Sequence, residues 1–158
     1  MSNPSTPTVL TTQTVLTTQT TLTTQTVITD IHQHICTITF NRPEKKNAFN
    51  RDGWFALRDA IVEARNNDAV SVVVITGAGK DFSSGVDLSD LTGNPDEKPP
   101  FEVMMDELML LDKPLLAAAK GVAIGFGATA LFHCDVVYVG ESLRMRLPFV
   151  NLGLVPEA

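Results

Sequence analysis

With 158 residues, 44% of them hydrophobic, and a mean hydropathy of +0.10, the chain has the size and apolar content of one soluble globular domain. A net charge of −6 and a pI near 4.9, with Lys45-Lys46 as the longest basic run, exclude nucleic acid as a partner, because phosphate backbones are bound by clustered Lys and Arg. No apolar run reaches the roughly 18–20 residues of a membrane span, and no basic region followed by an apolar one opens the chain, so a cytoplasmic protein without a membrane partner is expected.

The first residues are repetitive: "TVLTTQ" at 8–13 recurs at 14–19, "TTLTTQ" follows at 20–25, and "TVIT" begins at Thr26. Three hexads are too few to build a solenoid core, so residues 1–25 are expected to be a weakly ordered tail, a duplicated copy of the first strand. Residues 26–158 are expected to form the globular core. There "TVITDIHQHICTITF" predicts a hairpin with its turn between Asp30 and His34. His32 and His34 would alternate on one strand face, in a surface or hairpin role, and no metal-ligand spacing occurs. Cys36 and Cys134 lie far apart in apolar segments and are expected to be buried free thiols.

"NRPEKKNAFN" reads as a polar loop broken by Pro43. The apolar positions 54, 55, 57, 61, 62 and 64 have helical spacing. "VSVVVITGAG" is a β-branched run stopped by glycine, the pattern of a strand buried on both faces. "DFSSGVDL" is a loop, and "PPFEVMMDELMLLD" a helix opened by proline. "KPLLAAAKGVAIGFGATALFHCDVVYVG" predicts a short strand, a glycine-interrupted turn, a helix and another strand. Strand and helix alternate, so the fold class is α/β.

Two glycine-bearing loops follow predicted strands. "TGAGKDFSSGVDL" carries Gly77, Gly79 and Gly85, and "KGVAIGFGATALFH" sets Gly125 and Gly127 around Phe126 at the start of a helix. A helix start points unpaired N–H groups outward. Two such groups aimed at one oxygen would stabilise a carbonyl acquiring negative charge. Neither loop has the spacing of a phosphate-binding loop or a dinucleotide fingerprint.

The order of four motifs resembles the enoyl-CoA hydratase/isomerase family, the crotonase superfamily. These are Asn41-Arg42-Pro43 with Asn47-Ala48, Ser84-Gly85-Val86-Asp87-Leu88, Gly121 to Gly127, and Leu152-Gly153-Leu154-Val155-Pro156 after Cys134-Asp135. The resemblance implies a spiral of repeated ββα units whose C-terminal helical part is missing here. It implies an acyl-CoA thioester as partner, with coenzyme A as part of the substrate and no separate cofactor, and a homotrimer or hexamer in a full-length parent. The backbone N–H groups of Val86 and Phe126 would form the oxyanion hole. Coenzyme A would lie against Ala48, Ser84, Gly85, Val86, Asp87, Leu88 and Gly125, with Lys46 as a phosphate contact.

The reaction would depend on the acid or base beside the enolate. Hydratases of the family use two glutamates, and their places here hold Thr129 and Phe149. Δ3,Δ2-enoyl-CoA isomerases use one glutamate in an L-G-L-x-x-E segment, and that place holds Glu157. One carboxylate suffices to take a proton from C2 and return it to C4. The resemblance therefore implies an isomerase, inactive as this piece alone and exposing apolar surface. Two alternatives stay open. One is another crotonase-type reaction, such as hydration or hydrolysis, served by Asp87, Asp135 or Glu141. The other is a non-catalytic acyl-CoA-binding or assembly module.

Overall fold

A computed structural model describes residues 21–23, 26–90 and 97–155. The expected hairpin is β2 (Val27–His32) and β3 (Ile35–Phe40), paired from Val27 opposite Phe40 to His32 opposite Ile35. Its two-residue turn is Gln33-His34, at φ +49° and +67°. Positive φ at both turn positions matches the right-handed twist of the flanking strands. His34 thus sits in the turn, not on the strand beside His32, and its Nδ1 donates to the Ala69 carbonyl at 2.9 Å.

Strand pairing begins earlier than the expected boundary at Thr26. Thr21–Thr23 forms β1, antiparallel to β2, with Leu22 opposite Thr29. The outer edge of β2 offers unpaired backbone groups, and a Thr-rich segment suits a pleated edge. The rest of the repeat lies outside the described residues.

The main sheet runs β1-β2-β3-β4-β5-β7, where β4 is Val72–Gly77, β5 Leu115–Ala119 and β7 Val136–Val139. From β3 onward its neighbours are parallel, so each connection must cross over one face. Helix α1 (Arg51–Asn66) connects β3 to β4, and α2 (Pro100–Met109) lies between β4 and β5. Helix α1 is capped by Asn50, whose side chain accepts from Gly53 N, and its C-terminal carbonyls at Ala64 and Asn67 receive Lys113 Nζ, both at 2.7 Å. Its buried face is Trp54, Leu57, Ala60, Ile61 and Ala64. Each large side chain there contributes about 1.5–3 kcal/mol by leaving water. Arg65 pairs with Glu107 at 2.8 Å, joining α1 to α2.

Strand β4 corrects one expectation. Val73, Ile75 and Gly77 are buried, but Val72, Val74 and Thr76 are only partly so. A run of β-branched residues fits a strand with one packed face as well as one with two, because it satisfies β-propensity on either side.

After β5 the chain forms a second, smaller sheet that the sequence pattern hides. Strand β6 (Val122–Ile124) pairs in parallel with β8 (Arg144–Arg146), and isolated parallel bridges join Ser83 to Ala123 and Phe49 to Val86. Three-residue strands are too short to display a period. Between β6 and β7, α3 covers only Phe126–Thr129 and tightens into a 3-10 turn at Ala130–His133. From that turn onward apolar side chains stand in solvent, among them Phe132 at 67% and Val150 at 90% exposure. Among the described residues no helix is long and apolar enough to cross a membrane, and no three His, Cys, Asp or Glu side chains gather as a metal would require.

Candidate active site

The loop after β3 is held by its own polar residues. Asn47 is buried with φ +55°. Its Oδ1 accepts from Arg42 N at 3.0 Å, and its Nδ2 donates to the carbonyls of Ala78 and Asp81 at 3.0 and 2.8 Å. One amide thus ties this loop to the loop after β4. The fully buried Ser83 adds a second tie: its hydroxyl donates to Asn47 O at 2.8 Å and accepts from Gly85 N at 3.1 Å. The Ser83 carbonyl in turn accepts from Ile124 N at 3.0 Å, reaching the loop that opens α3.

These ties press Gly85 against the start of α3. A β-carbon on Gly85 would stand 2.6 Å from Ile124 O and 3.2 Å from Phe126 N, and its φ is +86°, so only glycine fits. Gly125 caps α3 at φ +56°. Among the described residues neither Val86 N–H nor Phe126 N–H has a hydrogen-bond acceptor. Val86 is flanked by the bridge to Phe49, in which Phe49 N donates to Gly85 O and Asp87 N donates to Phe49 O, both at 2.8 Å. That pattern turns Val86 N–H away from Phe49. Phe126 N–H is one of the unpaired donors at a helix start. Two donors on touching, immobilised loops can hold an oxygen that gains negative charge.

Residues 30–158 match the enoyl-CoA hydratase/isomerase family. The chain belongs to that family. It is 31% identical over 136 residues to the 1,2-epoxyphenylacetyl-CoA isomerase of Escherichia coli K12, covering 80% of this chain and 52% of that protein. It is 34% identical over 132 residues to the 2,3-dehydroadipyl-CoA hydratase of the same organism, covering 80% and 51%. The solved enoyl-CoA hydratase/isomerase of Pseudoalteromonas atlantica T6c matches with a TM-score of 0.78 and 36% identity over 84% of this chain and 53% of that one. The fold is of the crotonase type, and the chain spans about half the length of the relatives it matches.

Three of the four motifs of the enoyl-CoA hydratase/isomerase family meet in this chain, at residues 41–48, 84–88 and 121–127, and most of their side chains are structural; Leu152, Leu154 and Val155 of the fourth are exposed. Asp87 pairs with Arg42 at 3.0 Å, and Arg42 also donates to Ala48 O at 2.7 Å. The Ser89 hydroxyl donating to Asp87 Oδ1, helped by Arg42, holds the Asp87 carboxyl down from 3.8 to about 2. Such an acid is a poor proton shuttle at neutral pH. Asp135 exchanges bonds with Leu115: Leu115 N donates to its Oδ2, and Asp135 N donates to Leu115 O, both at 2.8 Å, which joins β7 to β5. Ala48 is buried, Ser84 N donates to Lys46 O at 2.9 Å, and Lys46 and Leu88 are exposed. Thr129 is buried, its hydroxyl donating to Phe126 O at 3.3 Å, and Phe149 begins a 3-10 turn. Cys36 is buried and Cys134 partly so; burial pushes both thiols up to about 11, which leaves neither a nucleophile at neutral pH. Glu157 lies outside the described residues.

The Asn47 and Ser83 ties were not legible beforehand. Asn47 follows Lys46 and Ser83 precedes Ser84, so neither stands out from its polar loop in the sequence. A polar groove of about 900 Å³ beside the start of α1, lined by Asn41, Arg42, Asn50, Asp52, Phe55 and Asp59 among others, contains none of the expected site residues.

Proposed function

We propose that this chain binds an acyl-CoA thioester with its carbonyl oxygen between Val86 N–H and Phe126 N–H, and shifts a Δ3 double bond to Δ2 with Glu157 as the single proton carrier. The observation that carries the reading is the pair of acceptor-free N–H groups on loops locked together by Asn47 and Ser83. Removal of a C2 proton moves charge onto the thioester oxygen, where two fixed donors stabilise the dienolate. The carboxylate then returns the proton to C4. Both relatives from Escherichia coli are named for CoA thioester substrates, one an isomerase and one a hydratase. Isomerisation is favoured because Thr129, buried with its hydroxyl committed, stands where the hydratase pattern asks for a carboxylate. Coenzyme A would run along Ala48 and Ser84 to Leu88 and pass Gly125, with exposed Lys46 near its phosphates.

The test is conversion of a trans-3-enoyl-CoA to the conjugated trans-2-thioester by the natural gene product. Glu157→Gln is expected to lower turnover by about 10²–10⁴, the usual contribution of a positioned acid–base group, while thioester binding persists. Formation of 3-hydroxyacyl-CoA that survives Glu157→Gln would replace this reading with hydration.

A further inference from the structure

The two proposed donors share one neighbour that no motif accounts for. Phe49 is buried at 3% exposure. Its N–H donates to Gly85 O, and its carbonyl accepts from Asp87 N, so its backbone grips the Val86 segment on both sides. Gly85 C=O and Val86 N–H belong to a single peptide, and in a trans peptide the two groups point oppositely. The bond from Phe49 therefore sets the direction of Val86 N–H and polarises it, since hydrogen bonds in series strengthen one another. The Phe126 peptide has the same feature: Gly125 O accepts from both Ala128 N and Thr129 N at 2.9 Å.

The ring of Phe49 completes the link. It stacks on Trp54 with centroids 4.5 Å apart and meets Phe126 edge to face at 5.4 Å and 89°. Trp54 meets the same Phe126 ring at 4.7 Å and 74°. Edge-to-face and offset contacts hold rings at preferred angles, so this trio fixes the first residue of α3 relative to the Val86 peptide.

We propose that Phe49 is a positioning residue that sets the spacing and aim of the two N–H donors, through its backbone on one and its ring on the other. This inference rests on the acyl-CoA reading above. The test uses hexanoyl-CoA labelled with ¹³C at the carbonyl, a saturated thioester that binds without turnover, observed by NMR on the wild-type chain and on Phe49→Ala, Phe49→Tyr and Ile61→Ala. The wild type is expected to move the bound carbonyl resonance downfield, because paired donors draw electron density onto oxygen. In Phe49→Ala the displacement falls by about half or more while affinity changes by about threefold or less, since geometry and not contact area is lost. Phe49→Tyr keeps the ring and restores the displacement. Ile61→Ala, at an equally buried site in α1, loses thermal stability and keeps the displacement. Should Phe49→Ala fail to fold, Phe49→Leu retains the apolar bulk without the ring edge, and the same loss is expected. Full displacement in Phe49→Ala or Phe49→Leu, or equal loss in Ile61→Ala, overturns the positioning role. A wild-type chain that binds no hexanoyl-CoA, or binds it with no displacement, removes the acyl-CoA reading and this inference with it.

Discussion

The loops after β3, β4 and β6 and the segment from β7 to Val155 are built in opposite ways. In the first region a buried amide, a buried hydroxyl and an Arg–Asp pair join the loops after β3 and β4, and the bond from Ile124 N to Ser83 O adds the loop after β6. In the second, apolar side chains such as Tyr138, Val139 and Val150 stand in water, and the strand pairs are short. Buried polar networks cost stability unless complete, and when complete they fix one geometry. The contrast therefore marks the first region as the place where geometry matters, which is what two aligned backbone donors require.

Glycines offer the sharpest way to test that contrast. A β-carbon on Gly127 would lie 2.2 Å from Ser83 O, a backbone atom that cannot yield, whereas one on Gly153 would meet nothing within 4 Å. Gly127→Ala is expected to destabilise by about 3 kcal/mol or more through overpacking. Gly153→Ala is expected to cost about 1 kcal/mol, from its φ of +67° alone. Denaturant midpoints of the two variants check this, and equal costs would dissolve the distinction between the regions.

Asn47→Ala comes next. It strips partners from Arg42 N and from the carbonyls of Ala78 and Asp81. Unsatisfied buried groups cost about 1–3 kcal/mol each, so a loss of about 3 kcal/mol is expected, read as a lower midpoint at unchanged slope.

The smallest effect is electrostatic and depends on pH. Asp87 titrates at about 2 in the folded chain against an ordinary 3.8. A depressed carboxylate stabilises the fold above the unfolded value, and that contribution is lost as pH falls through the folded one. The difference in melting temperature between wild type and Asp87→Asn should thus be constant above pH 5 and shrink between about pH 4 and pH 2. A difference that does not vary with pH would mean that the bonds from Ser89 and Arg42 do not hold the carboxyl down.

Much of the scaffold was legible because its elements are long enough to show a period. Helix α1 declared itself through Trp54, Leu57, Ile61 and Ala64, although Phe55 and Val62, on the same apolar list, turned out to lie off the core. The hairpin showed in its alternation. The small sheet did not, since β6 and β8 have three residues each, and the bridges from Ser83 to Ala123 and from Phe49 to Val86 are single. The positions of Val86 and Phe126 came from motif order and not from any property of valine or phenylalanine. A backbone donor leaves no mark on its own side chain; its sequence trace is the glycine beside it, here Gly85 and Gly125.

The most direct test of the account is a structure of the chain with hexanoyl-CoA bound. The thioester oxygen is expected within about 2.7–3.1 Å of both Val86 N and Phe126 N. A thioester seated in the polar groove beside α1, with both N–H groups unengaged, would contradict it.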